Sequence, residues 1–243
     1  MIRIIVVDEQ TIVRESIAKT LATFNQVQVV GQASSGEEAL LLVREKNPDI
    51  VVTEVVMSGI GGLEATRRIV NHSKFIGVIA LTSYVQAPFP TQMLKAGALG
   101  YLSKQASSIE LEKAIRRVFM GKRYVCQHVA QQLADHALQE SEDNPFESLS
   151  HREMQIMMMV VNCQKVREIS GTLHLSPKTV NSYRYRIFEK LQVQSDVELV
   201  LLAVQHGIIR SKAFPLRAGY HDSPGSRNEF QEDICAIANQ KGQ

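Results

Sequence analysis

The chain reads as an α/β protein: a doubly wound parallel sheet of five βα units, (βα)5, followed by a small all-α unit of four helices with helix-turn-helix spacing. Three observations predict this. Residues 1–121 alternate five short β-branched runs with segments of helical spacing. The runs are apolar almost throughout, as expected of strands covered on both faces. Residues 148–210 hold four helical segments, three of them opened by a serine, and no strand-like run.

Strands are expected at 4–7, 27–30, 50–52, 76–81 and 99–102. Between them Val13, Ile17 and Leu21 recur at helical spacing, as do Ala39, Leu40 and Val43. Ser35-x-x-Glu38 and Ser107-x-x-Glu110 read as capping boxes. Pro48 closes the second helix before the third strand. Gly97 and Gly100 bracket the start of the fifth strand, where tight turns are expected. A helix is expected over 126–138, and the polar, acidic stretch after it reads as a flexible linker.

In the second unit Ser150-x-x-Glu153 opens a helix containing Met154, Ile156, Met157 and Val160. A short helix follows around 166–173. Ser176-Pro177, an N-cap with proline at the first helical position, starts the next, which runs towards Leu191. Ser195-x-x-Glu198 opens the fourth, ending near Gly207. The expected division is therefore a first domain over 1–121, a linker helix and flexible linker over 122–147, a helical domain over 148–210, and a tail over 211–243. The tail holds Pro215, Gly219, Pro224 and Gly225 and receives no function.

Of the 243 residues, 44% are apolar and 21% charged, an ordinary globular balance. No apolar run approaches the length of a membrane span, so no membrane partner is expected. The opening strand meets Asp8 too soon for a secretory signal. Three scattered cysteines, Cys126, Cys163 and Cys235, suggest neither a disulfide framework nor a zinc site, and a cytoplasmic location is expected. His128, His136, His151 and His174 have no metal-ligand spacing. No phosphate loop or nucleophile–base pair is present, so an enzyme is not expected.

In a doubly wound sheet, ligands gather beyond the C-terminal strand ends. Asp8 and Glu9 follow the first strand, Glu54 the third, Thr82 the fourth and Lys104 the fifth. Three carboxylates could supply the hard oxygens that Mg²⁺ prefers, while Thr82 and Lys104 could hold phosphoryl oxygens. A merely solvated charged rim is the plainer alternative.

The residues Val6-Val7-Asp8-Glu9, Pro48-Asp49-Ile50-Val51-Val52-Thr53-Glu54, Leu81-Thr82-Ser83 and Gly100-Tyr101-Leu102-Ser103-Lys104 resemble a bacterial response-regulator receiver domain. The resemblance implies Mg²⁺ at Asp8, Glu9 and Glu54, phosphoryl acceptance at position 54 from a sensor histidine kinase, and a switch made of Thr82, Tyr101 and Lys104. The family's acceptor is aspartate, and here it is Glu54. Its extra methylene advances the carboxylate by about 1 Å or more, a displacement able to cost about 100-fold in rate. Three readings of Glu54 follow: a mimic of the phosphorylated state, a mark of lost phosphate control, or residual phosphoryl chemistry. Ser58 also stands where the family usually has proline.

Residues 176–192 carry Lys178, Arg184, Arg186 and Lys190 against the single acid Glu189. Val180, Ile187 and Leu191 share one face, to pack on Ile169 and Leu173. The other presents Lys178, Asn181, Ser182, Tyr185 and Arg186, as a helix entering a major groove would. Lys165, Lys178, Arg184, Arg186 and Lys190 are candidate phosphate contacts. Thr179 lies on the same element. Asn181, Ser182 and Tyr185 could reach base edges. Tyr183 lies nearer the apolar face and is expected to pack.

The run Leu175-Ser176-Pro177-Lys178-Thr179-Val180-Asn181-Ser182-Tyr183-Arg184-Tyr185-Arg186, with Leu149-Ser150-x-Arg152-Glu153 and Gln164-Lys165-Val166-x-Glu168-Ile169-Ser170, resembles the LuxR-type DNA-binding domain. Together the two halves resemble NarL/FixJ-family response regulators of the GacA/UvrY/LetA branch. The implied function is sequence-specific transcription regulation as a homodimer on duplex DNA, with phosphorylation control lost or mimicked by Glu54. A phosphorylation-independent adaptor or dimerisation partner of another regulator is the alternative. Cys163 stands where that branch usually has glycine.

Overall fold

A computed structural model describes residues 1–138 and 144–209, without side-chain detail at 135–138 and 151. Residues 139–143, which open the expected flexible linker, together with Arg210 and the whole tail, with Cys235, lie outside the described residues. The strands are β1 (Ile2–Val7), β2 (Val27–Ala33), β3 (Ile50–Thr53), β4 (Gly77–Thr82), β5 (Gly100–Ser103) and β6 (Tyr124–Val125). All pair in parallel, in the order β2-β1-β3-β4-β5-β6. The sheet thus has six strands, where five were expected. Tyr124 and Val125 are too short a run to carry an alternating pattern, and pair with Gly100 and Tyr101 only once α5 returns the chain to the sheet edge.

The helices α1 (Thr11–Ala22), α2 (Gly36–Lys46), α3 (Gly61–His72), α4 (Phe89–Lys95) and α5 (Ser108–Phe119) cover the sheet. Both faces are therefore dry. One apolar cluster joins Ile4, Val52 and Ile79 to Leu21, Leu111 and Ile115, and another joins Ile5, Val51 and Val78 to Val43 and Ile69. Double coverage is the reason the strands are apolar at successive positions. Ser35 and Ser107 accept from the Glu38 and Glu110 N–H groups at 3.2 Å, as their spacing predicts. Glu38 itself bonds Ser34, not Ser35, so its half of the box is displaced by one residue.

The two glycines before and in β5 serve different ends. Gly97 adopts φ +105°, the turn conformation expected of it. Gly100 does not: a Cβ there would lie 2.8 Å from Ile79 Cγ1, so close strand packing requires it rather than a turn.

After α6 (Gln127–Leu138) a 3₁₀ turn at Pro145–Ser148 leads into α7 (His151–Val161), α8 (Val166–Leu173), α9 (Pro177–Leu191) and α10 (Asp196–Gln205). Ser150 and Glu153 form a complete capping box, and Ser176 accepts from the Thr179 N–H at 3.1 Å. Val180, Ile187 and Leu191 bury their shared face in the same apolar cluster as Ile169 and Leu173. His174, at φ 52°, makes the turn between α8 and α9.

The apolar cluster of this helical half is continuous with Ile60, Phe89, Met93 and Tyr101 of the sheet half. Gln155 donates to the Ile60 carbonyl at 2.8 Å and Gln92 to the Leu149 carbonyl at 3.1 Å. A cavity of about 40 Å³ lies at this seam, lined by Val55, Met57, Leu63, Met154 and Met158 among others.

Candidate functional sites: the strand-end pocket and the nucleic-acid interface

The sheet order reverses between β1 and β3, and Asp8 and Glu54 stand just beyond those two strands. Both are buried, with 1% and 6% exposure. The Glu54 N–H bonds the Val7 carbonyl at 2.9 Å, continuing the ladder and fixing where the side chain departs. Gly62, the second residue of α3, lies so close to this point that a Cβ would overlap the Glu54 carbonyl oxygen.

Every carboxylate oxygen of Glu54 is engaged. Oε1 accepts from the Thr82 hydroxyl, from the Val55 N–H at 2.6 Å and from the Val56 N–H at 3.4 Å. Oε2 pairs with Lys104 Nζ at 2.7 Å, and the same ammonium reaches Asp8 Oδ2 at 2.5 Å. Burial alone would pull the Lys104 ammonium down, but its bonds to Asp8 and Glu54 outweigh this and hold it above the usual lysine value. Thr82 in turn accepts from the Tyr84 N–H at 3.1 Å. The Tyr101 hydroxyl donates to the Tyr84 carbonyl. Tyr101 is fully buried, and burial first, then the Glu54 charge and Cys126, push its phenol well above the ordinary range. It therefore remains a neutral donor.

Position 54, Thr82, Tyr101 and Lys104 thus form one hydrogen-bonded chain through Tyr84. The expected three-carboxylate metal site does not assemble in the same way. Glu9 turns away: its Oε2 accepts from the Ser58 N–H at 3.0 Å and the Ser58 hydroxyl at 3.2 Å. The Lys104 ammonium stands between Asp8 and Glu54. Among the described residues, no group of three His, Cys, Asp or Glu converges as metal ligands. The Asp8 and Glu54 carboxylates share the Lys104 ammonium, while Glu9 is held by Ser58. The hard oxygen donors suit Mg²⁺ by type, but their arrangement does not.

Tyr84 and Ser58 were not legible as site residues. Tyr84 acts through its backbone, which no side-chain pattern reports. Ser58 stood out only as a departure from proline.

On α9 the expected groove-facing residues are accessible. Lys178, Ser182, Tyr185 and Arg186 are exposed, Tyr185 at 72%, while Thr179 and Asn181 are half-buried. The packing of the helical half on the sheet half leaves this face uncovered. Lys165 is exposed at the start of α8, where Glu168 accepts from its N–H at 2.8 Å. Tyr183 packs at the core edge, with the Arg186 guanidinium 5.8 Å from its ring centre.

Two of the expected phosphate-contacting cations are committed elsewhere. Arg184 holds both Asp196 carboxylate oxygens at 2.6 and 2.5 Å and lies 5.7 Å from the Phe188 ring. Lys190 bonds Glu153 Oε2 at 2.7 Å and the Ser148 carbonyl at 3.0 Å. Their partners come from α10 and α7, so the charge count on α9 alone overstated its free cations. Lys165, Lys178 and Arg186 are exposed and, among the described residues, in no ion pair, so they remain the candidates for phosphate contacts.

Comparison with known proteins matches each half of the chain to a family. Residues 4–116 match the response regulator receiver domain family, and residues 147–203 match the bacterial regulatory proteins of the luxR family. The response regulator GacA of Pseudomonas protegens is 55% identical over 209 residues, covering 86% of this chain and 98% of that protein. The response regulator UvrY of Escherichia coli is 46% identical over 213 residues, covering 87% of this chain and 98% of that protein. The solved structure of RcsB from Salmonella enterica serovar Typhimurium, bound to a promoter with a phosphomimetic, shares the fold at a TM-score of 0.65 and 21% identity. That match covers 83% of this chain and 98% of the other. With a receiver sheet, an exposed basic recognition helix and these relatives, the chain belongs to the two-component response regulators that bind DNA through a LuxR-type helix-turn-helix domain to regulate transcription.

Proposed function

We propose that this regulator binds its DNA without needing phosphorylation, because Glu54 occupies the place of a phosphoryl group. One observation carries the reading. The Glu54 carboxylate draws in Thr82, Lys104 and two backbone N–H groups, and Thr82 is linked through Tyr84 to the inward-facing Tyr101. Those are the groups that would sense a phosphate. Glutamate carries about one negative charge where a phosphoryl group carries nearer two, so the mimicry is partial. The open face of α9 supports a DNA-binding role over that of an adaptor.

Receiver domains generally bind Mg²⁺ for phosphorylation, and regulators of this kind receive phosphate from histidine kinases. In this chain a histidine kinase partner would act weakly, since Glu9 and Lys104 are arranged against a metal among Asp8, Glu9 and Glu54. No catalytic activity is assigned to the pocket. The domains we assign are a receiver over 1–121, a linker over 122–147, the DNA-binding domain over 148–210 and a tail over 211–243. A homodimer on two-fold DNA is favoured by the apolar side chains that α10 exposes, Val197 at 62% and Leu201 at 44%. The protein acts in the cytoplasm, where its DNA is; no described helix is long and apolar enough to cross a membrane.

The test is DNA affinity measured across salt on an upstream-promoter library, with and without acetyl phosphate and Mg²⁺. Tight binding that the phosphodonor leaves unchanged is expected, with a salt slope set by a few phosphate contacts. Weak binding that tightens with the phosphodonor would overturn the reading.

A further inference from the structure

The receiver edge opposite Glu54 carries an unusual surface. Two connections meet there: 73–76, which joins α3 to β4, and 120–123, which joins α5 to β6. They are neighbours because β4 begins against the end of α5, where a Cβ on Gly77 would overlap Val118 Cγ1. The N-terminus reaches the same edge, since the Ile2 N–H bonds the Gln26 carbonyl at 2.6 Å and Arg116 reaches the Asn25 carbonyl at 3.3 Å.

Four large apolar side chains stand exposed along this edge: Phe75 at 97%, Met1 at 80%, Met120 at 63% and Phe119 at 52%. Around them lie Lys74, Arg117, Lys122 and Arg123, all exposed. Among the described residues none of these four cations is in an ion pair, whereas nearby Arg116 is paired with Glu112 at 2.6 Å. The acid on the same edge, Asp49, is taken up by the Arg3 N–H at 2.7 Å, so the exposed apolar tips stand beside free cations, the composition of a contact site.

We infer that this edge is a docking surface for an anionic phospholipid membrane. The exposure of Phe75 is that of a group protruding at the tip of a turn, not of a wall in a groove, so the edge offers no cradle for a partner helix. A second copy of the same face would bring like charges together. Protruding aromatic and thioether groups beside unpaired lysine and arginine suit the interface of an anionic bilayer, where the apolar tips enter the acyl boundary and the cations meet lipid phosphates. This contact is peripheral, so the lack of a spanning segment does not bear against it. It is also independent of the state of Glu54.

The chain contains no tryptophan, so Phe75→Trp provides a single reporter at the edge. The full-length protein with that change is titrated with vesicles of phosphatidylglycerol and phosphatidylcholine, and with pure phosphatidylcholine. Expected are a blue shift of the emission and quenching by brominated acyl chains with the anionic vesicles only. Adding Lys122→Glu and Arg123→Glu should weaken partitioning by at least about ten-fold, since each basic residue at an anionic surface counts for about five-fold, and should leave DNA affinity unchanged. Emission that anionic vesicles do not move would overturn the inference. So would vesicle binding that survives the double change but is lost with Lys178→Ala and Arg186→Ala, because α9 would then be the lipid-binding element. Emission moved by a synthetic acidic amphipathic peptide and not by vesicles would replace the membrane with a protein partner.

Discussion

Glu54, one methylene longer than aspartate, holds its carboxylate against Thr82, Lys104 and the Val55 N–H, while Glu9 accepts from Ser58. Glu54→Asp should withdraw the carboxylate from Thr82 and restore acceptance of a phosphoryl group from acetyl phosphate with Mg²⁺. Intact-mass measurement checks this, and an unmodified variant would show that the rest of the pocket has also lost the chemistry. Cys163 poses a simpler residue-scale question. It is exposed, makes the turn after α7 at φ 60°, and has a side chain that left-handed backbone disfavours. Cys163→Gly should raise stability to urea by about 1 kcal/mol, and an unchanged or lower midpoint would mean that the sulfur makes a compensating contact. Both positions were legible as departures from a family pattern. Arg184 and Lys190 show the limit of such reading, because their charge was visible and their partners were not.

At the scale of elements, the joint between α7 and α9 is held by a buried carboxylate. Burial would raise Glu153, but Lys190, followed by Ser150 at the cap, overcomes it and holds the group below the usual glutamate value. A depressed carboxylate contributes stability that is present above its unfolded value and lost as pH falls through the folded one. Lys190→Met should therefore destabilise the DNA-binding domain by about 1 kcal/mol at pH 7, since Lys190 is partly exposed and the pair is screened. The difference from wild type should shrink as pH drops below about 4.5. A gap that stays constant in pH-resolved thermal melts would assign Lys190 a packing role instead. Helix starts were legible here to the residue, because a serine cap and its bonded N–H lie within a single turn. The sixth strand was not, because two residues hold no period.

For the whole molecule, the seam between the halves matters most. Gln155 meets Ile60 across 95 residues, and Gln92 meets Leu149 across 57. Both contacts involve elements beside the Glu54 pocket: Ile60 precedes α3, whose start crowds Glu54, and Gln92 lies on α4. The docking of α7 therefore sits beside the Glu54 pocket while α9 stays open. Neither glutamine carried any mark in the sequence. A buried amide is recognisable only once the carbonyl that it satisfies is beside it.

The sequence by itself determined the doubly wound sheet, the helix-turn-helix and the strand ends that bear Asp8, Glu54, Thr82 and Lys104. These follow from period, caps and connection length, all settled within a few neighbouring residues. Only the tertiary structure decided that Glu54 engages Thr82 and Lys104, that Glu9 belongs to Ser58, and that Arg184 and Lys190 are bound within the domain. Each depends on side chains from distant elements meeting within hydrogen-bond or contact distance, and neither composition nor periodicity encodes that.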